Sequence, residues 1–227
     1  MRYSLPTNEV SAQNQLSLIK IYVQKSGNGA NPVRIEEIKA LSPVKSDRIS
    51  KCHRFLVDIG LLIKEGHKYR PTKEAVRIIN YFADGENYSA QERLRSLVAE
   101  TWFGAFVDEL LHLVGSIDKD SLIQRMLVEA KLPDVGLNKE KAAVLIDWLL
   151  LADFIEKNSS ERFILNETPL LTESVPAPTT AIPASTLLEQ AAGSKGMKIN
   201  VNVELSLDEL SPQMRSEILQ LIKGKLA

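Results

Sequence analysis

Apolar residues recur at helical spacing along most of the chain, and the breaks between these stretches divide it into segments. Val10, Leu16, Ile19 and Val23 form one stripe, which predicts a helix from Asn8 to Lys25. "SGNGANP" (Ser26–Pro32) ends it, because two glycines and a proline disfavour continued helix. Val33 to Leu41 reads as a short second helix that buries Ile35, Ile38 and Leu41. After the turn "SPVK" (Ser42–Lys45), Ser46 to Ile59 reads as a third helix. Ser46 is its expected N-cap, Asp47 answers the positive end of its dipole, and Gly60 follows its last turn. Leu61–Ile63 and Tyr69–Pro71 are strand-like pieces around "KEGHK" (Lys64–Lys68), with Glu65-Gly66 as the hairpin turn. Thr72 caps a further helix from Lys73 to Phe82, and "ADGENYS" (Ala83–Ser89) closes the unit.

The order of elements then repeats, although the residues do not. Ser89 and Glu92 have capping-box spacing. One long helix is predicted from there to about Val114, its inner face made by Leu94, Leu97, Val98, Trp102, Phe106, Leu110 and Leu113. Gly115 stops it. Asp118 to Lys131 is a short helix, "LPDVGLN" (Leu132–Asn138) a turn, and Asn138 caps a third helix to Ala152. "FIEKNSSERFIL" (Phe154–Leu165) is a hairpin that turns at Asn158–Ser160. The third helix is apolar nearly all round, through Leu145, Ile146, Trp148, Leu149, Leu150 and Leu151. Such a helix is buried on several sides, in the core of its own chain or in a dimer interface.

Glu167 to Lys195 breaks the pattern. Pro169, Pro176, Pro178 and Pro183 stand among Thr, Ser and Ala, with few large apolar groups. Such a stretch cannot bury enough surface to offset its ordering entropy, so a flexible linker is expected. Alternation returns in "KINVNVELSL", where Ile199, Val201, Val203 and Leu205 mark a half-buried strand. Ser211-Pro212 then opens a helix with Met214, Ile218, Leu221 and Ile222 on one face. One strand and one helix need a partner surface. These eight residues are expected to pack on the body of the chain or on other copies of the segment, giving a homo-oligomer.

Three helices and then a two-stranded hairpin is the order of a winged helix-turn-helix. "FLVDIGLLIKEGHKYRPTKEA" (Phe55–Ala75) resembles the end of many such domains, and the resemblance covers roughly residues 8–83. There a recognition helix runs into a "GLI" strand, and a basic wing returns to a helix that starts at a "Y-x-x-T" phrase. The whole layout is similar to an uncharacterised prokaryotic family with an N-terminal winged helix, a second helical domain, a variable linker and a C-terminal strand like Ile199–Leu205 followed by a helix. The resemblance implies a mainly α fold with small β-hairpins. Its parts are a winged-helix domain at 1–84, a second winged-helix-like domain at 85–166, a flexible linker at 167–195 and a strand–helix assembly segment at 196–227. It implies no known activity.

Charge sharpens this division. The net charge of −1 is a cancellation: residues 1–84 hold 14 Lys and Arg against 8 Asp and Glu, and residues 85–167 hold 9 against 15. Hydrophobic residues make up 44% and charged residues 25%, the balance of a globular protein. No apolar run reaches the ~18–20 residues a bilayer requires; Val144 to Ala152 is interrupted by Asp147. "MRYSLPTNEV" has no apolar signal core. A single cysteine, Cys52, gives neither a disulfide framework nor a cysteine zinc cluster. A cytoplasmic protein with no membrane partner is therefore expected.

Catalytic motifs are missing from the sequence. It holds no H-E-x-x-H, no C-x-x-C, no Walker A loop and no G-x-G-x-x-G after a strand, and "SGNGA" lacks the Lys-Ser/Thr of a phosphate loop. His53, His67 and His112 make no metal-ligand spacing. Cys52 and His53, adjacent on a helix, point about 100° apart, which suits no single metal. Asp118 and Asp120, near a helix start, answer its dipole. The expectation is a non-enzymatic protein with no cofactor and no metal.

The basic run survives. On a wheel of about 100° per residue, Ile49, Cys52, Leu56 and Ile59 share one side of the third helix with Phe55 at its edge. Ser50, Lys51 and Arg54 lie opposite with Asp47 and Asp58, and Arg48 lies at the flank. A winged helix docks this outer face in the major groove, where Arg and Lys reach guanine edges and phosphates. The wing adds Lys64, His67, Lys68 and Arg70, and Lys45 precedes the helix. These nine residues are the candidate contacts to duplex DNA, in a regulator or a DNA-associated component of a defence or mobile-element system. Asp47 and Asp58 on the same face oppose phosphate. The alternative is an interaction adaptor that never touches DNA and holds a protein partner through the second domain or the tail, since a fold does not settle its use.

Overall fold

The first helix, α1 (Ala12–Lys25), begins later than its apolar stripe. Ser11 is the N-cap, its Oγ accepting from the Asn14 N–H at 3.3 Å. A loop with Gly27, Asn28 and Gly29 all at positive φ leads to α2 (Ile35–Lys39). In α3 (Ser46–Asp58) the N-cap is Lys45, without a side-chain cap, so Ser46 is the first helical residue and not the cap. Gly60, at φ +76°, turns the chain out of the helix, a conformation that costs a residue with a Cβ but not glycine. The strands β1 (Leu62–Glu65) and β2 (Lys68–Pro71) pair antiparallel, Glu65 opposite Lys68. The turn residues are therefore Gly66 and His67, one position beyond the expected pair. Thr72 caps α4 (Lys73–Ala83): its Oγ1 accepts from the Ala75 N–H at 3.1 Å and donates to the Gly60 carbonyl at 2.8 Å. The second bond ties the start of α4 to the end of α3.

The predicted long helix is two helices in the computed structural model, which describes residues 3–166. They are α5 (Asn87–Ala99) and α6 (Trp102–Val114). Thr101 makes the break, its Oγ1 accepting from the Gly104 N–H at 3.0 Å. Gly104 is the second requirement, because a Cβ there would lie 2.0 Å from the Val98 carbonyl oxygen. α5 also starts before Ser89, so Ser89 and Glu92 are helix interior and not a capping box. α7 (Lys119–Glu129) is capped by Asp118, whose Oδ1 accepts from the Ser121 N–H at 2.9 Å. That bond holds the exposed Asp118 carboxyl below the usual carboxylate range. α8 (Gly136–Leu151) starts before Asn138, which donates to the Pro133 carbonyl instead of capping the helix. β3 (Ile155–Lys157) and β4 (Phe163–Leu165) pair antiparallel, with the Asn158 side chain accepting from the Ser160 and Arg162 N–H groups in the turn.

The chain is thus mainly helical with two small antiparallel hairpins. Each hairpin also gains one bridged residue from upstream, Val33 to Tyr69 and Ile117 to Phe163. Helix, bridged residue, two helices and hairpin therefore occur twice in the same order, with α4 and α5 between them.

All described residues belong to one compact unit, with a hydrophobic core running from Val10 to Phe163. The two runs of elements meet inside it. The Phe55 ring lies 6.3 Å from Phe103 and 6.0 Å from Trp148. Trp148 Nε1 donates to Gln15 Oε1 at 3.3 Å, and Gln15 Nε2 donates to the Val10 carbonyl at 2.8 Å. Aromatic side chains of this size bury ~150–250 Å², roughly 4–6 kcal/mol each at ~25 cal/mol per Å² before entropy. Of the two expectations for α8, burial within its own chain is the one its packing meets, against α1, α5, α7 and β3.

The segment before α1 lies along the helices of the second run. Tyr3 stacks on Trp102 at 4.6 Å, Trp102 Nε1 donates to the Ser4 carbonyl at 3.4 Å, and Asn8 Nδ2 donates to Glu140 Oε2 at 2.6 Å. Among the described residues no helix is long and apolar enough to cross a membrane. The expected linker, the expected tail and its candidate assembly residues Ile199, Val201, Val203, Leu205, Met214, Ile218, Leu221 and Ile222 lie outside the described residues.

Candidate functional site

α3 is amphipathic in the sense the wheel predicts. Ile49, Cys52, Phe55 and Leu56 are buried, while Ser50, Lys51, Arg54, Asp47 and Asp58 are exposed and Arg48 is half-buried at the flank. The hairpin lies beside the helix, joined to it by the stacked rings of His53 and Tyr69. A cleft of about 280 Å³ between them is lined by Ser50, His53, Arg54, Val57 and Asp58 from α3 and by Lys64 and Tyr69 from the strands. Ser50, Arg54 and Lys64 are thereby brought to one place. His67 stands exposed at the hairpin tip, Lys68 and Arg70 are half-buried on β2, and Lys45 is exposed at the start of α3.

The charges on this face are partly answered from within. Lys45, Arg48, Lys51, Arg54, Lys64, Lys68 and Arg70 are seven cations, against the four carboxylates Glu9, Asp47, Asp58 and Glu65. Arg54 Nε lies 3.9 Å from Asp58 Oδ2, a long contact on exposed side chains worth little. Arg70 Nη2 lies 2.7 Å from Glu65 Oε1. Glu9 takes two cations: its Oε2 is 3.1 Å from Arg48 Nε and its Oε1 pairs with Lys51 Nζ. Arg48 Nε is close enough for an ion pair but not aligned for a hydrogen bond; its Nη1 donates to the Glu9 carbonyl at 3.4 Å. Among the described residues, Lys45, Lys64 and Lys68 have no ion-pair partner.

Beneath the face sits a buried ring stack that sequence reasoning missed. His53, 2% exposed, stacks on Tyr69 at 3.9 Å with 12° between planes, and its Nε2 lies 2.8 Å from the Tyr22 hydroxyl. Its Nδ1 has no hydrogen-bond partner. Burial pushes the imidazole down to about 4, so the ring is neutral at pH 7, and burial also pushes the Tyr22 phenol up. The trio links α1, α3 and β2. The signal was present in the spacing: His53 lies four residues after Ile49 and three before Leu56, on the buried stripe. Cys52 is buried as well, its thiol raised to about 12 by burial and then by the charge of Glu9. It packs in the core, its Sγ 3.4 Å from the Arg48 carbonyl.

Glu9 was also missed, since nothing in its local pattern announces partners 39 and 42 residues away. Among the described residues no group of three or more His, Cys, Asp or Glu is placed to hold a metal ion. His112 lies beside a cleft of about 510 Å³ with Glu156, but its Nδ1 contacts the Asp108 carbonyl in its own helix at 2.9 Å.

Compared with known proteins, the chain matches no family model, no curated protein and no solved structure. The functional reading therefore rests on the geometry alone.

Proposed function

We propose that the chain is a non-enzymatic DNA-binding protein built from two winged-helix units in tandem, of which only the first contacts duplex DNA. One observation carries the reading. The outer side of α3 and the hairpin beside it carry seven cations, three of them without an ion-pair partner among the described residues, and bring Ser50, Arg54 and Lys64 to one cleft. The bridge from Val33 to Tyr69 supports the winged-helix assignment, because it adds a third strand position to the wing. α3 enters the major groove, Ser50, Lys51 and Arg54 face base edges and phosphates, and Lys64, Lys68 and Arg70 reach the flanking backbone. Each copy binds weakly and in a salt-dependent way. Useful affinity comes from several copies held together by the second unit and the tail.

The test is fluorescence anisotropy with duplex DNA over a range of salt. The expected slope of log K against log salt is about −3 to −6, for three to seven phosphates at about −0.9 each. Lys51→Glu combined with Arg54→Glu abolishes the binding without unfolding the chain. A chain that ignores duplex DNA even at low ionic strength is no DNA-binding protein. That result would favour the second reading, an adaptor that holds a protein partner. The internal pairing of Arg48, Lys51, Arg54 and Arg70 gives this second reading its support.

A further inference from the structure

Glu9 differs from the other carboxylates of the α3 face. Asp58 and Glu65 pair within their own helix or hairpin, whereas Glu9 is brought in by the segment before α1 and takes two cations at once. One carboxylate oxygen faces Arg48 and the other faces Lys51, which is how two oxygens of a phosphate are held between neighbouring cations. The placement is built. The Glu9 N–H donates to Thr7 Oγ1 at 3.3 Å, the next residue, Val10, is buried, and the preceding residue, Asn8, is fastened to Glu140 on α8 at 2.6 Å.

We propose that Glu9 is an internal phosphate mimic that occupies the DNA-backbone position between Arg48 and Lys51, so that binding requires its displacement. The inference rests on the DNA-binding reading above. It adds that the segment before α1 restrains the face, and that α8 takes part by anchoring Asn8. A DNA phosphate replaces the carboxylate, and the displaced Glu9 turns to solvent. Only then do Arg48 and Lys51 contribute counterion release.

The experiment compares the full chain with its Glu9→Gln and Asn8→Ala variants on the same duplex DNA over a salt series, with circular dichroism to check folding. Glu9→Gln is expected to bind more tightly, by roughly tenfold at low salt, because two exposed ion pairs no longer have to be broken before the phosphate is seated. Asn8→Ala keeps the charge but loosens the tether, so a smaller gain is expected. Equal affinities and slopes for wild type and both variants overturn the proposal while leaving the DNA reading intact. Weaker binding by Glu9→Gln also overturns it, since Glu9 would then position the two cations for DNA. Binding by Glu9→Gln alone supports it in its strongest form. If none of the three proteins binds, the DNA reading falls and the proposal falls with it.

Discussion

The third helices of the two runs, α3 and α8, hold the same place in the order of elements and have opposite surfaces. α3 buries one side and presents Ser50, Lys51 and Arg54 on the other. α8 buries Ala142, Val144, Leu145, Ile146, Trp148 and Leu149, because α1 and α5 cover the side that α3 leaves open. The layout alone does not decide whether such a helix is a docking face or a core. Its neighbours decide, and here α1 of the first run and the intervening α5 supply the cover for the second.

The largest effect that can break this contrast is at α8. Trp148→Ala removes a fully buried ring that touches Phe55 and Gln15, and is expected to cost about 3–5 kcal/mol in denaturant unfolding. A loss below about 1 kcal/mol would mean that α8 is not the joint core.

Next comes the buried histidine under α3. In the folded chain His53 is held at about 4, against 6.5 ordinarily, so the unfolded chain binds its proton first as pH falls. Its contribution is complete above about pH 6.5, declines towards pH 4 and levels off below, a change of about 3 kcal/mol at most. His53→Gln should flatten that part of the stability profile; an unchanged profile would show that burial does not hold the ring neutral.

Gly104→Ala tests the junction between α5 and α6. Helix propensity alone predicts a gain of about 1 kcal/mol. The contact with the Val98 carbonyl reverses the sign, for a net loss of about 1–3 kcal/mol read as a lower melting temperature.

The smallest effect on stability belongs to the α3 face. Replacing Lys45, Lys64 and Lys68 together by Ala should change stability by less than about 0.5 kcal/mol. The same change should flatten the salt slope of DNA binding by up to about 2.7. Lost stability with unchanged binding would mean that these lysines serve the fold.

Much of the architecture that depends on local pattern was legible in the sequence, although Leu41 and Leu113, expected on buried helix faces, are exposed. α3, its buried stripe and its outer residues followed from the 3.6-residue period, and Gly60 and Gly66 marked where it ends and where the hairpin turns. The break at Thr101 was not legible from period alone. α5 and α6 show their apolar faces to the same core, so the stripe from Leu94 to Leu110 continues across the gap. The signals were Thr101 as a cap and Gly104 three residues later, a weaker cue than the stripe that overrode it. Asn138 and Ser89 misled for the converse reason: cap-forming residues also serve inside helices. The site was half legible. Which residues point outward is a property of one helix. Which of them are already paired is a property of the tertiary fold, as Glu9 and the Tyr22–His53–Tyr69 stack show.

The strap of residues before α1 also has a consequence for synthesis. It leaves the ribosome before α1, yet its anchors Trp102 and Glu140 follow Ser4 and Asn8 by 98 and 132 residues. At about 5–20 residues per second, that delay is on the order of ten seconds. During that interval the nascent chain already contains the residues of α3 and its hairpin, which end at Pro71, but not the partners that fasten the strap. The order of translation therefore delivers the residues of the charged face before those of the clasp that holds Glu9 over it.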